Sequence, residues 1–288
     1  HYIFDSVRGI DKQLQSNSNA AEYDYSGDSG RSLKSFNSDG FTLGTGAGVN
    51  GNGELFVAWC WKESATAGFD IVTYTGNQTA RTISHNLGAV PKMMIVKNRG
   101  TTGNWGVYHV GLGTANKRLE LDVNAAADTG TSVWNDTDPT SSVFSVGDND
   151  RITNGNGMTY VAYLFAEKQG YSKFGSYTGN GQDTPNGVFI YLGFTPAFIL
   201  IKATDDNSWV IVDNKRPADS NPVDDSLAAD STAAETTGDS NTTFDFLSNG
   251  FRTNGNSGNN NSSGQEYIFM AFAEQPFVSS TGVPATAR

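Results

Sequence analysis

The chain has 288 residues with 30 acidic and 19 basic side chains, a net charge of −11 that repels a phosphate backbone and argues against nucleic acid as a partner. Its 33 glycines lie among Asn, Ser, Thr and Asp, a vocabulary of turns, and long Leu/Glu/Lys/Ala runs at helical spacing are missing. Cys60 is the single cysteine, so no intramolecular disulfide and no zinc ribbon can form, and no apolar run reaches the ~18 residues that span a bilayer.

In chain order, the first element is an anchor strand, HYIFDSV (His1–Val7), which returns as NWGVYHV (Asn104–Val110) and SWVIVDN (Ser208–Asn214). Counting from Tyr2 to Trp105 to Trp209 gives a period of about 103 residues, the mark of an array of similar units. Next come polar segments, then SFNSDGFTLG (Ser35–Gly44), which returns as VFSVGDNDRI (Val143–Ile152) and DFLSNGFRTN (Asp245–Asn254). Gly40 and Gly250 in these motifs are expected at hairpin positions of positive φ. The loop GTGAGVNGNG (Gly44–Gly53) lacks the Lys-Ser/Thr of a phosphate loop and reads as a hairpin loop. It feeds an aromatic strand, GELFVAWCWKE (Gly53–Glu63), repeated as GMTYVAYLFAEK (Gly157–Lys168) and QEYIFMAFAE (Gln265–Glu274). Cys60, flanked by Trp59 and Trp61, is expected inside that strand as a buried, inert thiol.

A complete unit opens with FDIVTYTGN (Phe69–Asn77) or SKFGSYTGN (Ser172–Asn180), followed by short apolar runs entered through Pro91 and Pro196. Proline suits a strand's entry better than its interior. Residues 1–66 form the C-terminal half of a unit, 67–169 and 170–278 are full units, and 279–288 is a C-terminal extension. The fold class is all-β: tandem antiparallel β-sandwich repeats of about 103 residues, the first repeat incomplete. The chain reads as a fragment, a processed form or part of a longer protein, and its first half unit is expected to be completed by something this sequence does not contain.

Candidate chemistry is sparse. His1, His85 and His109 have no partner at metal-ligand spacing, and Ser84 and His85, adjacent on a strand, point to opposite faces. Glu120 and Asp122 would share a strand face as a glycosidase acid pair, but nothing corresponding stands in VDDSLAAD of the third copy. Glu63, Glu167 and Glu274 recur in every unit, which argues for structure. Asp148, Asp150, Asp224 and Asp225 could take at most an adventitious or structural calcium ion; no cofactor is otherwise expected. Trp105 and Trp209 repeat with the scaffold and read as core. A sugar-binding surface needs exposed rings and hydrogen-bonding loops that differ between copies. Tyr23, Tyr25 and Trp134, with Asn256, Asn259 and Asn260, are the candidates.

The set TISHNLGAVPKMMIVKNR, NWGVYHVGL, SKFGSYTGNG, GFTPAFILIKATD, DFLSNGFR, YIFMAFAEQPF and VPATAR resembles the β-rich repeats of marine bacteriophage tail-fibre or tail-associated proteins, over nearly the whole chain. The resemblance implies a non-catalytic virion component outside the particle, often a trimeric fibre. Its implied partners are further copies of itself, other virion proteins and a host-surface glycan or protein, with no nucleic acid and no membrane insertion. Polysaccharide depolymerase, or a ligand-free decoration or filament subunit, are the alternative readings.

Overall fold

A computed structural model describes residues 1–28, 30–149, 151–217 and 221–273, and the backbone of two short paired strands, Phe277–Val278 and Pro284–Ala285. Asp150, Asp219, Glu274 and the rest of the C-terminal extension lie outside the described residues.

The first segment forms β1 (Tyr2–Asp5), β2 (Gly9–Gln15) and β3 (Tyr23–Asp24), paired in that order, then the hairpin of β4 (Leu33–Asn37) and β5 (Gly40–Leu43). The second supplies β6 (Phe69–Thr75), β7 (Arg81–Ser84), β8 (Met93–Asn98), β9 (Gly106–His109), β10 (Lys117–Glu120), β11 (Asp128–Thr129), β12 (Val143–Val146) and β13 (Thr159–Phe165). The third supplies β14 (Ser172–Thr178), β15 (Phe189–Tyr191), β16 (Pro196–Ala203), β17 (Val210–Asp213), β18 (Leu227–Ala228), β19 (Thr243–Leu247), β20 (Gly250–Asn254) and β21 (Glu266–Ala273). The fold is all-β and antiparallel. The two large sheets run β6-β13-β8-β9-β10-β11 and β14-β21-β16-β17-β18, the same order, and each segment adds a small sheet, β7-β12 or β15-β20-β19.

The apolar runs explain this layering. Along β8, Met93 and Ile95 enter one core while Met94 and Val96 enter another; along β13, Val161, Tyr163 and Phe165 alternate in the same way with Tyr160, Ala162 and Leu164. β16 and β21 repeat the division, with Phe198, Leu200, Ile268, Met270 and Phe272 on one side and Ile199, Ile201, Tyr267, Phe269 and Ala271 on the other. A strand buried on both faces reads as a continuous apolar run, whereas a half-exposed one alternates with polar residues. One face of each large sheet meets its own small sheet. The other meets a single core drawn from all three segments, including Leu14 and, at its edge, Ile3, Trp59 and Trp61.

Strand pairing corrects the period at the first anchor. Gln15 pairs with Tyr2, Glu120 with Gly106 and Ala228 with Val210, so Tyr2 corresponds to Gly106 and His1 to the Trp105 and Trp209 position. The shared bonds Ser16 N–H to His1 O, Leu121 N–H to Trp105 O and Ala229 N–H to Trp209 O give the same alignment. The unit spacing there is therefore 104 residues, because a one-residue slip would send every side chain to the opposite face.

Other expectations change locally. Residues 54–63 carry no strand, and Cys60 is exposed rather than buried. The loop before them holds a one-turn helix, Ala47–Asn50. Gly40 has φ 159°, but Gly250 is needed for a different reason: a Cβ there would lie 2.1 Å from the Ile190 carbonyl oxygen. His85 lines the turn before the Pro91 strand, bonding Thr140 O through Nε2 at 3.1 Å.

Candidate functional site

Of the candidate ring and amide residues, Tyr23 is exposed at the edge strand β3 and Tyr25 is half-buried just beyond it. Asn256 is exposed and Asn259 half-buried in the loop after β20. Trp134 and Asn260 are corrections: both are buried and cannot meet a surface ligand. Trp134 is 1 % exposed, at the end of a one-turn helix (Thr131–Trp134), edge-on to Tyr108 at 6.2 Å. Asn260 Nδ2 donates to Asn254 O at 2.7 Å, and its own carbonyl accepts from Tyr177 Oη at 2.6 Å, so it braces the loop from inside. Among the described residues no hydrogen bond or ring contact joins the tyrosine pair to the asparagine loop, so they do not form one site.

The acid pair is also spoken for. Asp122 Oδ1 accepts from Trp105 N–H at 2.8 Å, and Asp230 does the same for Trp209 N–H at 3.0 Å. Asp230 is thus the third-copy counterpart that VDDSLAAD seemed to lack; a four-residue insertion after Trp209 hides it. Burial pushes both carboxyls up, against these backbone bonds. Glu120 accepts from Asn104 Nδ2 and lies 3.6 Å from Arg118. Among the described residues there is no group of three or more side chains able to hold a metal ion, and no helix is long and apolar enough to cross a membrane.

The buried ionisable groups instead join the segments in a cycle. Asp5 Oδ2 accepts from Tyr163 Oη at 2.8 Å, linking the first segment to the second. His109, in the corresponding position, bonds the Phe269 carbonyl through Nε2 at 3.0 Å, linking the second to the third. Asp213 accepts from Trp59 Nε1 at 3.1 Å, linking the third back to the first. The residue types follow from the partner. Where the facing segment offers a donor, Tyr163 or Trp59, the acceptor is Asp; where it offers Met270, which has none, a histidine donates to the backbone instead. The tryptophans add a second set of ties: Trp105 Nε1 donates to Gln15 O and Ser18 O at 3.1 and 3.0 Å, and Trp209 Nε1 to Glu120 O at 2.9 Å.

Ion pairs brace the same positions. Arg8 binds Asp5 and Glu22, and Arg216 binds Asp213 and Glu235 in the same pattern. The D-x-x-R spacing in FDSVR and VDNKR could have shown this pair in the sequence. Lys97 and Lys202, both buried at strand ends, donate to backbone oxygens, Asn98 O at 2.8 Å and Ala203 O at 2.7 Å. Burial pushes each ammonium down to about 8, with Asp122 or Asp230 opposing.

His109 carries a pH prediction. Burial pushes its imidazole down to about 4, against the opposing bond to Phe269 O. The folded state therefore holds fewer protons than the unfolded chain between pH 6.5 and about 4, and stability falls as pH drops through that window. The loss should approach roughly 3 kcal/mol at its acid limit. Urea midpoints at pH 7 and 4.5 should converge in His109→Gln; an unchanged pH dependence in that variant would rule the assignment out.

Two surfaces of the described residues stand out. One is a polar cleft of 270 Å³ where the first two segments meet, lined by Asn19, Asn104, Glu120, Asn149 and Arg151, with Ile152 at its apolar side. Its amides, carboxylate and guanidinium are suited to a hydroxylated ligand. The other is the segment 54–63. Its inner face is seated, Trp61 lying edge-on to Phe198 and Phe272 at 5.2 and 5.7 Å. Its outer face leaves Leu55 99 % and Phe56 54 % exposed.

A family model, the domain of unknown function DUF7483, matches residues 1–276. No curated protein and no solved structure matches the chain.

Proposed function

We propose that this chain, which belongs to the DUF7483 family of domains of unknown function, is a virion structural protein of tail-fibre type that meets a host surface without catalysis. One observation carries the reading. The ionisable groups that a catalytic site would draw on, Asp5, His109, Asp122, Asp213 and Asp230, are each engaged in holding repeated sheets together. The resemblance of the repeated motifs to phage appendage sequences supplies the context: a virion tail, outside the cell, with further copies in a homotrimer and other virion proteins as neighbours. The net charge of −11 suits an exposed, soluble surface.

The ligand in this reading is a host-surface glycan, and the cleft between Asn104 and Arg151 is where it binds. Binding of the purified chain to host cells and to a glycan array should fall about tenfold in Asn104→Ala or Arg151→Ala, the loss of one or two hydrogen bonds. New reducing ends released from host polysaccharide, or binding that survives both substitutions unchanged, would overturn it.

A further inference from the structure

Residues 54–63 repeat the sequence of β13 and β21 but form no strand. Their neighbours account for the difference. β13 lies between β6 and β8, and β21 between β14 and β16. The register is shared: Val161 faces Lys97, and Ile268 faces Lys202. Among the described residues no strand lies beside 54–63. The counterparts of Phe56 in the other two copies, Tyr160 and Tyr267, are completely buried. The open apolar face is therefore a strand position that, among the described residues, pairs with no strand on either edge.

A second, independent observation concerns charge. Glu22 accepts from Arg8 and also from Arg99, the residue just beyond β8 of the next segment, at 2.9 Å to both Nε and Nη2. Glu235 stands in the corresponding place in the third segment and pairs with Arg216. Among the described residues it has no arginine from a following strand, and its side chain is 35 % exposed against 9 % for Glu22. The cyclic order puts the Glu235 partner at the end of a strand lying between 54–63 and β1, as β8 lies between β13 and β9. The apolar face and the unmatched carboxylate point to one occupant.

We infer that residues 54–63 and Glu235 form a docking face for a strand from a further repeat of this kind. That strand is an apolar, β-branched segment entered through proline and ending in Lys-Asn-Arg, added antiparallel in the β8 register. Backbone hydrogen bonds along an open edge would supply affinity, and the alternate side chains and the terminal arginine would supply selectivity. The inference holds whether or not the protein belongs to a virion. In this register the position of Met94 falls opposite Cys60, as Met94 falls opposite Leu164.

That pairing provides the test, since Cys60 is the single cysteine. A synthetic peptide with the sequence of residues 88–100 is added to the intact chain. It should bind and protect alternate amides of residues 55–61, those facing the added strand, from hydrogen exchange. A Met94→Cys peptide, supplied as its mixed disulfide with thionitrobenzoate, should exchange with the Cys60 thiol and release the thionitrobenzoate, and an Ile95→Cys peptide activated in the same way, whose sulfur faces the other way, should do so about tenfold more slowly. Glu235→Gln should weaken the parent peptide about fivefold and leave an Arg99→Gln peptide unaffected. Gln keeps an acceptor oxygen for Arg216, and an unchanged urea midpoint of the variant shows that it tests recognition and not the fold. Equal trapping rates for the two cysteine peptides, or amides that remain unprotected at saturating peptide, would overturn the inference.

Discussion

Arg8→Met should destabilise the protein by about 3–5 kcal/mol, the cost of leaving buried charge without its partner. The Arg8 side chain is fully buried, and its partners Asp5 and Glu22 are 4 % and 9 % exposed. The guanidinium also donates to Lys12 O and Ile3 O at 3.2 and 3.1 Å, so its loss leaves Asp5 without a cation, Glu22 with Arg99 alone, and two carbonyls without this donor. The corresponding Arg216→Met should cost less, about 2 kcal/mol, because Glu235 can turn to water. Urea unfolding followed by tryptophan fluorescence measures both. A cost under 1 kcal/mol for Arg8→Met would sink the claim that this cluster locks the first segment. The pH dependence has a definite sign. Burial pushes the Glu22 carboxyl up, but hydrogen bonds from Arg99 and Arg8 outweigh it and hold the group below its ordinary value. Its contribution is therefore complete above the ordinary carboxylate range and is lost as pH falls through the folded value. Arg8→Met should flatten that acid limb.

Trp209→Ala is expected to cost at least about 4 kcal/mol, most of it from the cavity and lost burial and the rest from the Glu120 carbonyl left without its donor. Trp209→Phe keeps most of the volume and removes only the bond, so about 1–3 kcal/mol is expected. The more informative readout is cooperativity. Trp209 belongs to the core shared by all three segments and reaches into the second through Glu120. Its loss should lower one common unfolding transition, seen alike by fluorescence and far-ultraviolet circular dichroism. Two separated transitions in the parent protein would show that the segments unfold independently and that the shared core does not couple them.

Some of the site is legible in the sequence. The D-x-x-R pairs, the scaffold tryptophans and the recurrence of an acidic residue after each aromatic run are all visible as text. Asp230 was not, because the insertion after Trp209 shifts it out of alignment. His109 was not either: its role depends on Met270 facing it from a distant strand, and on that residue having no donor. Trp134 resembled a surface residue because its flanks are polar, yet the turn that carries it folds inward over Tyr108.

The sequence by itself determined the all-β, antiparallel class and most of the strands. Local spacing, proline at strand entry and period-two alternation act over a few residues. It did not determine which face of each strand meets which core. A run such as MMIVKN is apolar on both faces, so alternation alone cannot say that Met93 and Ile95 enter the shared core while Met94 and Val96 enter the sandwich. Only the docking of three sheets decided that. It also decided that Asp5, His109 and Asp213 act as ties between segments, and that residues 54–63, alike in sequence to two central strands, remain without a ladder because a strand needs a neighbour to satisfy its backbone.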